Sequence, residues 1–525
     1  MSSEFKMNKL AAALGVALAA GSGTQVAQAV NVAQDGIGEV LLYPIYTVRN
    51  GFDTYLNIVN TGEDTVMFKI HFLEGENSRE CLDFNVILSP YDVWTATISY
   101  DADVTGPAGG GIVKTRDHSC TAPVLGLLPD PLGIGDLRGQ QFFWNDFTGA
   151  RNDTGTQDLD RCRVGYVEVI EMGVSPTPNE DIMGTVAYNA YHINKTGGNK
   201  GVPRNCNAIV SAFNSNLGGI QDEFNEPENV LMGSGTLINV DSGKASAINP
   251  TVLANFYNPD IGSDFLDGAS SNDLVNLPAS LAPFLDQVEP ANAQALFNSA
   301  GTSNFRFDNN FARDVEAVAA ILAGTAVLNQ FDTFEGTNAQ TDWAVTFPTK
   351  NFFVDTAFFG GNPDPFEFKF QGDGDGNGLS CVTVDFRYFD REELEPDVPP
   401  DLGFSPPQPG TPPSSICYEV NILTFNNSDL LGELATGNLG ANVNTKTIVT
   451  DLTQGWMRLE FVNAGQFPSV DGTLPIQGDL TWRGLPVIGG AFQSLENGVS
   501  LIGNVLNYMW YIPHGVERDI SPYVL

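Results

Sequence analysis

Strict alternation of apolar and polar residues, in short runs separated by turn signals, restricts long stretches of this chain to extended strands. Val66, Phe68, Ile70 and Phe72 fall on one side of a run whose other side carries Met67, Lys69 and His71, and Leu82, Phe84, Val86 and Leu88 repeat the pattern. The alternation puts His71 on the polar side of its strand, in a surface or packing role. Between the runs, Asn60-Thr61-Gly62 supplies residues that tolerate positive φ and predicts a hairpin.

The same reading extends along the chain. From Arg163 to Ile193, Val164, Tyr166, Val186, Tyr188 and Ala190 are inward candidates of a second β-rich stretch. Leu274 to Phe297 and Phe311 to Phe331 change character: Val315, Val318, Ile321, Leu322 and Ala326 recur at helical spacing. The strand pattern returns at Val382, Val384, Phe386 and Tyr388, at Tyr418, Val420 and Ile422, and at Met457, Leu459 and Phe461. Residues 393–415 hold eight prolines and are excluded from regular structure. The predicted fold class is mainly β: sandwich-like, immunoglobulin-like blocks over 30–215 and 341–525, the latter carrying the Pro-rich loop, with a partly helical insert over 216–340.

The first 29 residues are set apart. Lys6 and Lys9 precede the apolar run Leu10 to Ala20, and Ala27-Gln28-Ala29 matches an A-x-A cleavage site. This is the layout of a secretory signal peptide, with an apolar run about half the length of a spanning helix. No second uninterrupted apolar run long enough for a transmembrane segment follows. Export agrees with cysteine usage. Cys81, Cys120, Cys162, Cys206, Cys381 and Cys417 contain no C-x-x-C pair and fit three disulfides in an oxidising compartment. Their gaps make sequential pairing simplest: Cys81 with Cys120, Cys162 with Cys206, Cys381 with Cys417.

Charge bears on partners. With 63 acidic and 25 basic residues the chain carries −38 at neutral pH, which repels nucleic acid and anionic headgroups. The plain reading is solubility; the sharper one is binding of divalent cations. Asp373-Gly-Asp-Gly-Asn-Gly378 starts as a calcium loop does, with Asp373, Asp375 and Asn377 as oxygen ligands. It departs from that loop at its twelfth position, where Val384 stands in place of a bidentate glutamate. Calcium is therefore the expected cofactor, held at a hairpin tip and weakly.

The four histidines, His71, His118, His192 and His514, form no metalloprotease motif, and the chain has no G-x-S-x-G, Walker loop or dinucleotide fingerprint. A glycosidase needs only two carboxylates at the right separation, which spacing in sequence does not reveal. Trp94, Trp144, Trp343, Trp456, Trp482 and Trp510 would stack on sugars if exposed, although aromatic residues in strands more often fill cores. An outer-membrane barrel fits poorly, because the strands are short and helical segments interrupt them.

Several phrases carry a resemblance. The strand-turn-strand segment through Asn60-Thr61-Gly62 resembles a unit of immunoglobulin-like bacterial surface modules. Phe72-Leu-Glu-Gly-Glu-Asn-Ser-Arg-Glu80, Leu88-Ser-Pro-Tyr-Asp-Val-Trp94, Thr341-Asp-Trp-Ala-Val-Thr-Phe-Pro-Thr-Lys350 and Arg483-Gly-Leu-Pro-Val-Ile-Gly489 together resemble uncharacterised secreted proteins of proteobacteria. That resemblance spans most of the chain after residue 29 and transfers no functional residue. The expected function is a secreted structural protein of the cell surface or extracellular matrix, self-associating or joined to other surface components and assisted by calcium. The alternative is a secreted glycan-binding protein or glycoside hydrolase.

Overall fold

The computed structural model describes residues 30–102, 110–143, 153, 155–157, 159–193, 201–215, 219–220, 222–256, 293–297, 303–307, 315–355, 363–370, 380–392, 415–431, 445–470, 480–499 and 505–522. The chain is mainly β. Alternation dictates a first pair of antiparallel sheets. One, of seven strands, orders them as Asn31–Val32, Thr251–Ala254, Val40–Thr47, Val164–Ser175, Thr65–Glu74, Glu80–Leu88 and Cys120–Ala122. The facing sheet runs Gly126–Leu127, Arg138–Gln141, Gly110–Thr115, Val93–Asp101, Asp53–Asn60, Leu231–Asn239 and Lys244–Ile248, with Ile37–Gly38 beside Leu231–Asn239. Phe68, Ile70, Phe72, Phe84 and Val169 from the first meet Leu56, Ile58, Trp94, Ile98 and Val113 from the second in one core.

A second sandwich follows. Ser415–Ile416, Val382–Asp390, Gln454–Phe461, Ala326–Asp332 and Gly515–Glu517 form one of its sheets. Thr445–Ile448, Val420–Phe425, Gln340–Thr346, Ile488–Val499 and Val505–Pro513 form the other, in which Val420–Phe425 and Thr445–Ile448 are parallel. Along Gln340–Thr346 the side chains divide by parity: Trp343 and Val345 enter the core of this sandwich, while Ala344 packs with Ile45, Leu73, Val164 and Tyr166 of the first. The two inner sheets therefore lie back to back, and Leu237 and Ile248 of the eight-stranded sheet join the contact at its edge. Burial on both faces explains why Val40–Thr47, Thr65–Glu74, Val164–Ser175 and Val420–Phe425 are buried at every position.

Several expectations are corrected by this stacking. His71 is fully buried, because the polar side of its strand is covered as well. Asn60-Thr61-Gly62 does not close a hairpin: Asp53–Asn60 and Thr65–Glu74 belong to opposite sheets, so the turn crosses the sandwich. Val186, Tyr188 and Ala190 lie on a short helix, Val186–Ala190, that Thr185 caps by accepting from the Tyr188 backbone N–H. The boundaries at 215 and 340 shift too. Leu231–Asn239, Lys244–Ile248 and Thr251–Ala254 complete the first pair of sheets, and Ala326–Asp332 belongs to the second. The helical spacing around Val315 is real over Val315–Leu322, whereas Ala326 begins a strand.

The disulfides join Cys81 to Cys162, Cys120 to Cys206 and Cys381 to Cys417. Only the last pair is sequential; it closes over the Pro-rich segment as expected. Cys120–Cys206 fastens the helix Cys206–Ser215 to the edge strand Cys120–Ala122. That helix and Val186–Ala190 pack through Phe213, Ile209 and Val186 over Met67, Ile87 and Met172, capping one end of the inner sheet.

His514 gives the second sandwich a pH response. Its Nε2–H donates to the Ala344 carbonyl at 3.0 Å, the Asn329 amide donates to its Nδ1 at 3.0 Å, and its ring lies 4.9 Å from Trp343. Only the neutral ring satisfies both bonds, and burial holds its pKa down to about 3, against about 6.5 when unfolded. Below pH 6.5 the unfolded chain takes up a proton that the folded one refuses, so His514 removes stability as the pH falls. Part of the residue still meets solvent, so about 2 kcal/mol is the ceiling between pH 7 and 5. The expected result is that a His514→Gln variant loses less stability than wild type over that interval, read from denaturant midpoints. Parallel curves would refute it.

Candidate functional site

The expected calcium ligands Asp373, Asp375 and Asn377 lie outside the described residues, as does Trp144. Among the described tryptophans, Trp94 and Trp343 are fully buried and Trp456 stacks on Phe389 at 4.7 Å. Two other polar constellations come together in space.

The first is an ionic lock at the seam between the sandwiches. After the strand Thr65–Glu74 the chain curls round its own Glu74 carboxylate, which accepts from the backbone N–H groups of Glu76, Asn77 and Arg79. Arg161 enters from the other side, 2.8 Å from Glu74 and hydrogen-bonded to both oxygens of Asp153. Arg79 joins Asp153 to Asp355 of the second sandwich, and the Asn77 amide donates to both carboxylates. Burial works against charge on Asp153, but hydrogen bonds from Arg161 and Asn77 and the nearby guanidinium charges outweigh it and hold its pKa at about 2. Glu76 goes the other way: burial raises its pKa despite Arg161. Beyond it, the Lys350 ammonium donates to the carbonyls of Ser380, Cys417 and Tyr418. Burial brings Lys350 down to about 8 and pushes Glu419 well up. The lock is closed to solvent.

The second is an open cleft of about 400 Å³ lined by Ser89, Tyr91, Asp92, Arg116, His118 and His192, among others. Tyr91 sits at its lip, 69% exposed, with φ 57. A non-glycine residue held at positive φ is uncommon and concentrates at functional turns. Ser89 Oγ and Asp92 Oδ2 lie 3.2 and 3.3 Å from the same nitrogen of His192, Nδ1. A nucleophile relay needs serine on one ring nitrogen and the carboxylate on the other, so this trio does not constitute one. Burial raises the Asp92 pKa, with His192 opposing. Asp117 is committed to the fold, accepting from the N–H groups of Thr95 and Ser119. Arg116 forks onto Asp130, whose carboxyl it holds well below the usual range. With the charges paired internally, the cleft offers an exposed aromatic face and polar rim groups, a combination suited to a neutral polar ligand.

Comparison with protein-family models, characterised proteins and solved structures gave no match. The cleft was legible in part: Ser89-Pro-Tyr-Asp is a turn sequence, but nothing near it announces His118 and His192, which arrive from other loops. The lock was hidden for the same reason, since Glu74, Asp153, Arg161 and Asp355 are scattered through the chain. Among the described residues no helix is long and apolar enough to cross a membrane.

Proposed function

We propose that the protein is an exported structural component of a cell surface or extracellular matrix that associates with further copies of itself. The observation that carries this reading is a sheet edge that no strand among the described residues pairs with. The hairpin Gly126–Leu127/Arg138–Gln141 ends the eight-stranded sheet, and Leu127, Leu132 and Ile134 stand out from it, each more than two-thirds exposed. The intervening loop is braced by Asp130, which accepts from the N–H groups of Leu132 and Gly135 as well as from Arg116. A rigid edge with apolar side chains is suited to receive a partner's strand. Three disulfides fit an oxidising setting. Cleavage of the leader after Ala29 would leave Val30, which is buried in the core, as the first residue. Calcium assistance through Asp373, Asp375 and Asn377 belongs to the same reading, as a neutraliser of repulsion between chains of charge −38.

Light scattering and electron microscopy of the protein from Val30 onward, with and without millimolar calcium, test this. Ordered assemblies are expected, and a Leu127→Lys/Ile134→Lys variant is expected to remain monomeric. A wild type that stays monomeric in both conditions would overturn the reading.

The cleft favours a second reading, saccharide binding. Stacking of a sugar face on Tyr91 beside Asp92 and His118 is its physical basis. If immobilised polysaccharides retain the wild type but not Tyr91→Ala, and no assemblies form, this alternative replaces the first.

A further inference from the structure

The outer face of the seven-stranded sheet is covered by several apolar clusters, and its Val40, Leu42 and Ile170 join the core around the helix Val315–Leu322. Met67, Ile87 and Met172 lie under the two helices, and Leu73, Val164 and Tyr166 lie under the second sandwich. Between them runs a rung of buried polar residues, His71 standing opposite Glu168 on one neighbouring strand and Asp83 on the other, with Lys69 opposite Asn85. Pattern alone would place aliphatic side chains in such a position. Ionisable groups there cost several kcal/mol apiece unless paired or bound to a metal.

Pairing is only partly achieved. His71 Nδ1 lies 2.6 Å from Glu80 Oε1, and Lys69 Nζ lies 2.6 Å from Asp83 Oδ2 without hydrogen-bond alignment. Asn85 is fully buried, and neither its amide oxygen nor its amide nitrogen has a hydrogen-bond partner. Unsatisfied atoms of this kind mark the place of a water or an ion. One imidazole nitrogen and one oxygen from each of two carboxylates, those of His71, Glu80 and Asp83, all lie within 4.8 Å of one another.

We propose that His71, Glu80 and Asp83 bind one divalent transition-metal ion of the zinc type. The donor set decides the metal: an imidazole with two carboxylates suits zinc, whereas calcium takes about six to eight oxygens. Bonds of about 2.0–2.2 Å set neighbouring donors roughly 3.3 Å apart. The His71–Glu80 contact therefore opens slightly as the ion enters, and Asp83 turns from Lys69 toward the metal. The displaced ammonium has an acceptor at hand, because Asn85, whose amide oxygen lacks a partner, is its register partner on the neighbouring strand. The open position on the metal goes to water. Glu80, the least buried ligand, marks the entry side. The ion pairs Lys69–Asp83 and His71–Glu80 alone would neutralise most of the charge, but they leave Asn85 unexplained.

The test uses full-length mature protein stripped with chelator and titrated with zinc chloride, with millimolar calcium present to occupy surface carboxylates. Calorimetry should find one zinc per chain, bound with a rise in the unfolding midpoint. Cobalt(II) in its place should give d–d absorption of a four- or five-coordinate site. His71→Gln should weaken zinc by about tenfold or more, while His118→Gln and His192→Gln leave it unchanged. Lys69→Met, which removes the competing ammonium, should bind zinc several-fold more tightly. Absence of saturable one-to-one binding to wild type, or equal affinity in a folded His71→Gln variant, overturns the proposal. Should His71→Gln fail to fold, Lys69→Met decides: tighter zinc supports the site, and unchanged or weaker zinc refutes it.

Discussion

Replacing Arg161 by methionine will destabilise the protein by about 3–5 kcal/mol, the usual cost of stranding buried charge. The side chain is sealed from solvent and faces Glu74, Glu76 and Asp153 together. Without it three carboxylates are left to Arg79, the Asn77 amide and backbone donors, in a medium where like charges repel strongly. Lysine will not restore the loss, because one ammonium cannot reproduce the planar fork that reaches Glu74 and both oxygens of Asp153. Arg458 is the control. It also contacts two carboxylates, Glu460 and Glu517, but in contact with solvent, and its methionine variant should stay within about 1 kcal/mol of wild type. Guanidinium-chloride midpoints for the three variants decide the matter; similar shifts for Arg161→Met and Arg458→Met would show that the lock holds nothing.

Loss of the Cys81–Cys162 bridge should cost about 4.5 kcal/mol in the chain-entropy account, since its ends are 81 residues apart. Cys120–Cys206, at 86, should be worth a similar amount. The first bridge also anchors the turn that carries Arg161, so the double variant Cys81→Ala/Cys162→Ala should loosen the lock as well. Unfolding midpoints measure the loss, and non-reducing peptide maps check the connectivity beneath it. Peptides joining Cys81 to Cys120 and Cys162 to Cys206 would contradict the structure.

That pairing is a good measure of what the sequence discloses. Alternation identified the strands that carry Val66 to Phe72 and Leu82 to Leu88 and the core residues Phe68, Ile70 and Phe84, because period two is a local property. It could not say which sheet a strand joins. Asp53–Asn60 and Thr65–Glu74 are neighbours in sequence and lie in facing sheets, so the turn residues between them suggested a hairpin that does not form. Cysteines follow the sheets rather than the sequence, and only Cys381 and Cys417, which flank the Pro-rich segment, paired as spacing implied. His71 was misplaced for a related reason. Polar residues at alternate positions normally mean solvent, and only a second sandwich laid on that face changes the meaning. Of the candidate sites, Tyr91 and Asp92 sat in a readable turn, while the partners that make a cleft of it depend on long-range contacts. The oxygens of Asp373, Asp375 and Asn377 remain an inference from spacing.

The back-to-back inner sheets have a mechanical consequence. In a surface protein made of beads joined by linkers, a pull on one end reaches the next bead only through the connecting peptide, and each bead gives way in turn. Here tension on one sandwich passes sideways into the other through Ile45, Leu73, Tyr166, Ala344, Ile422 and Phe492 and through Arg79 and Asp355. The two halves should share the load in shear, as glued planks do, and yield together as a single stiff segment.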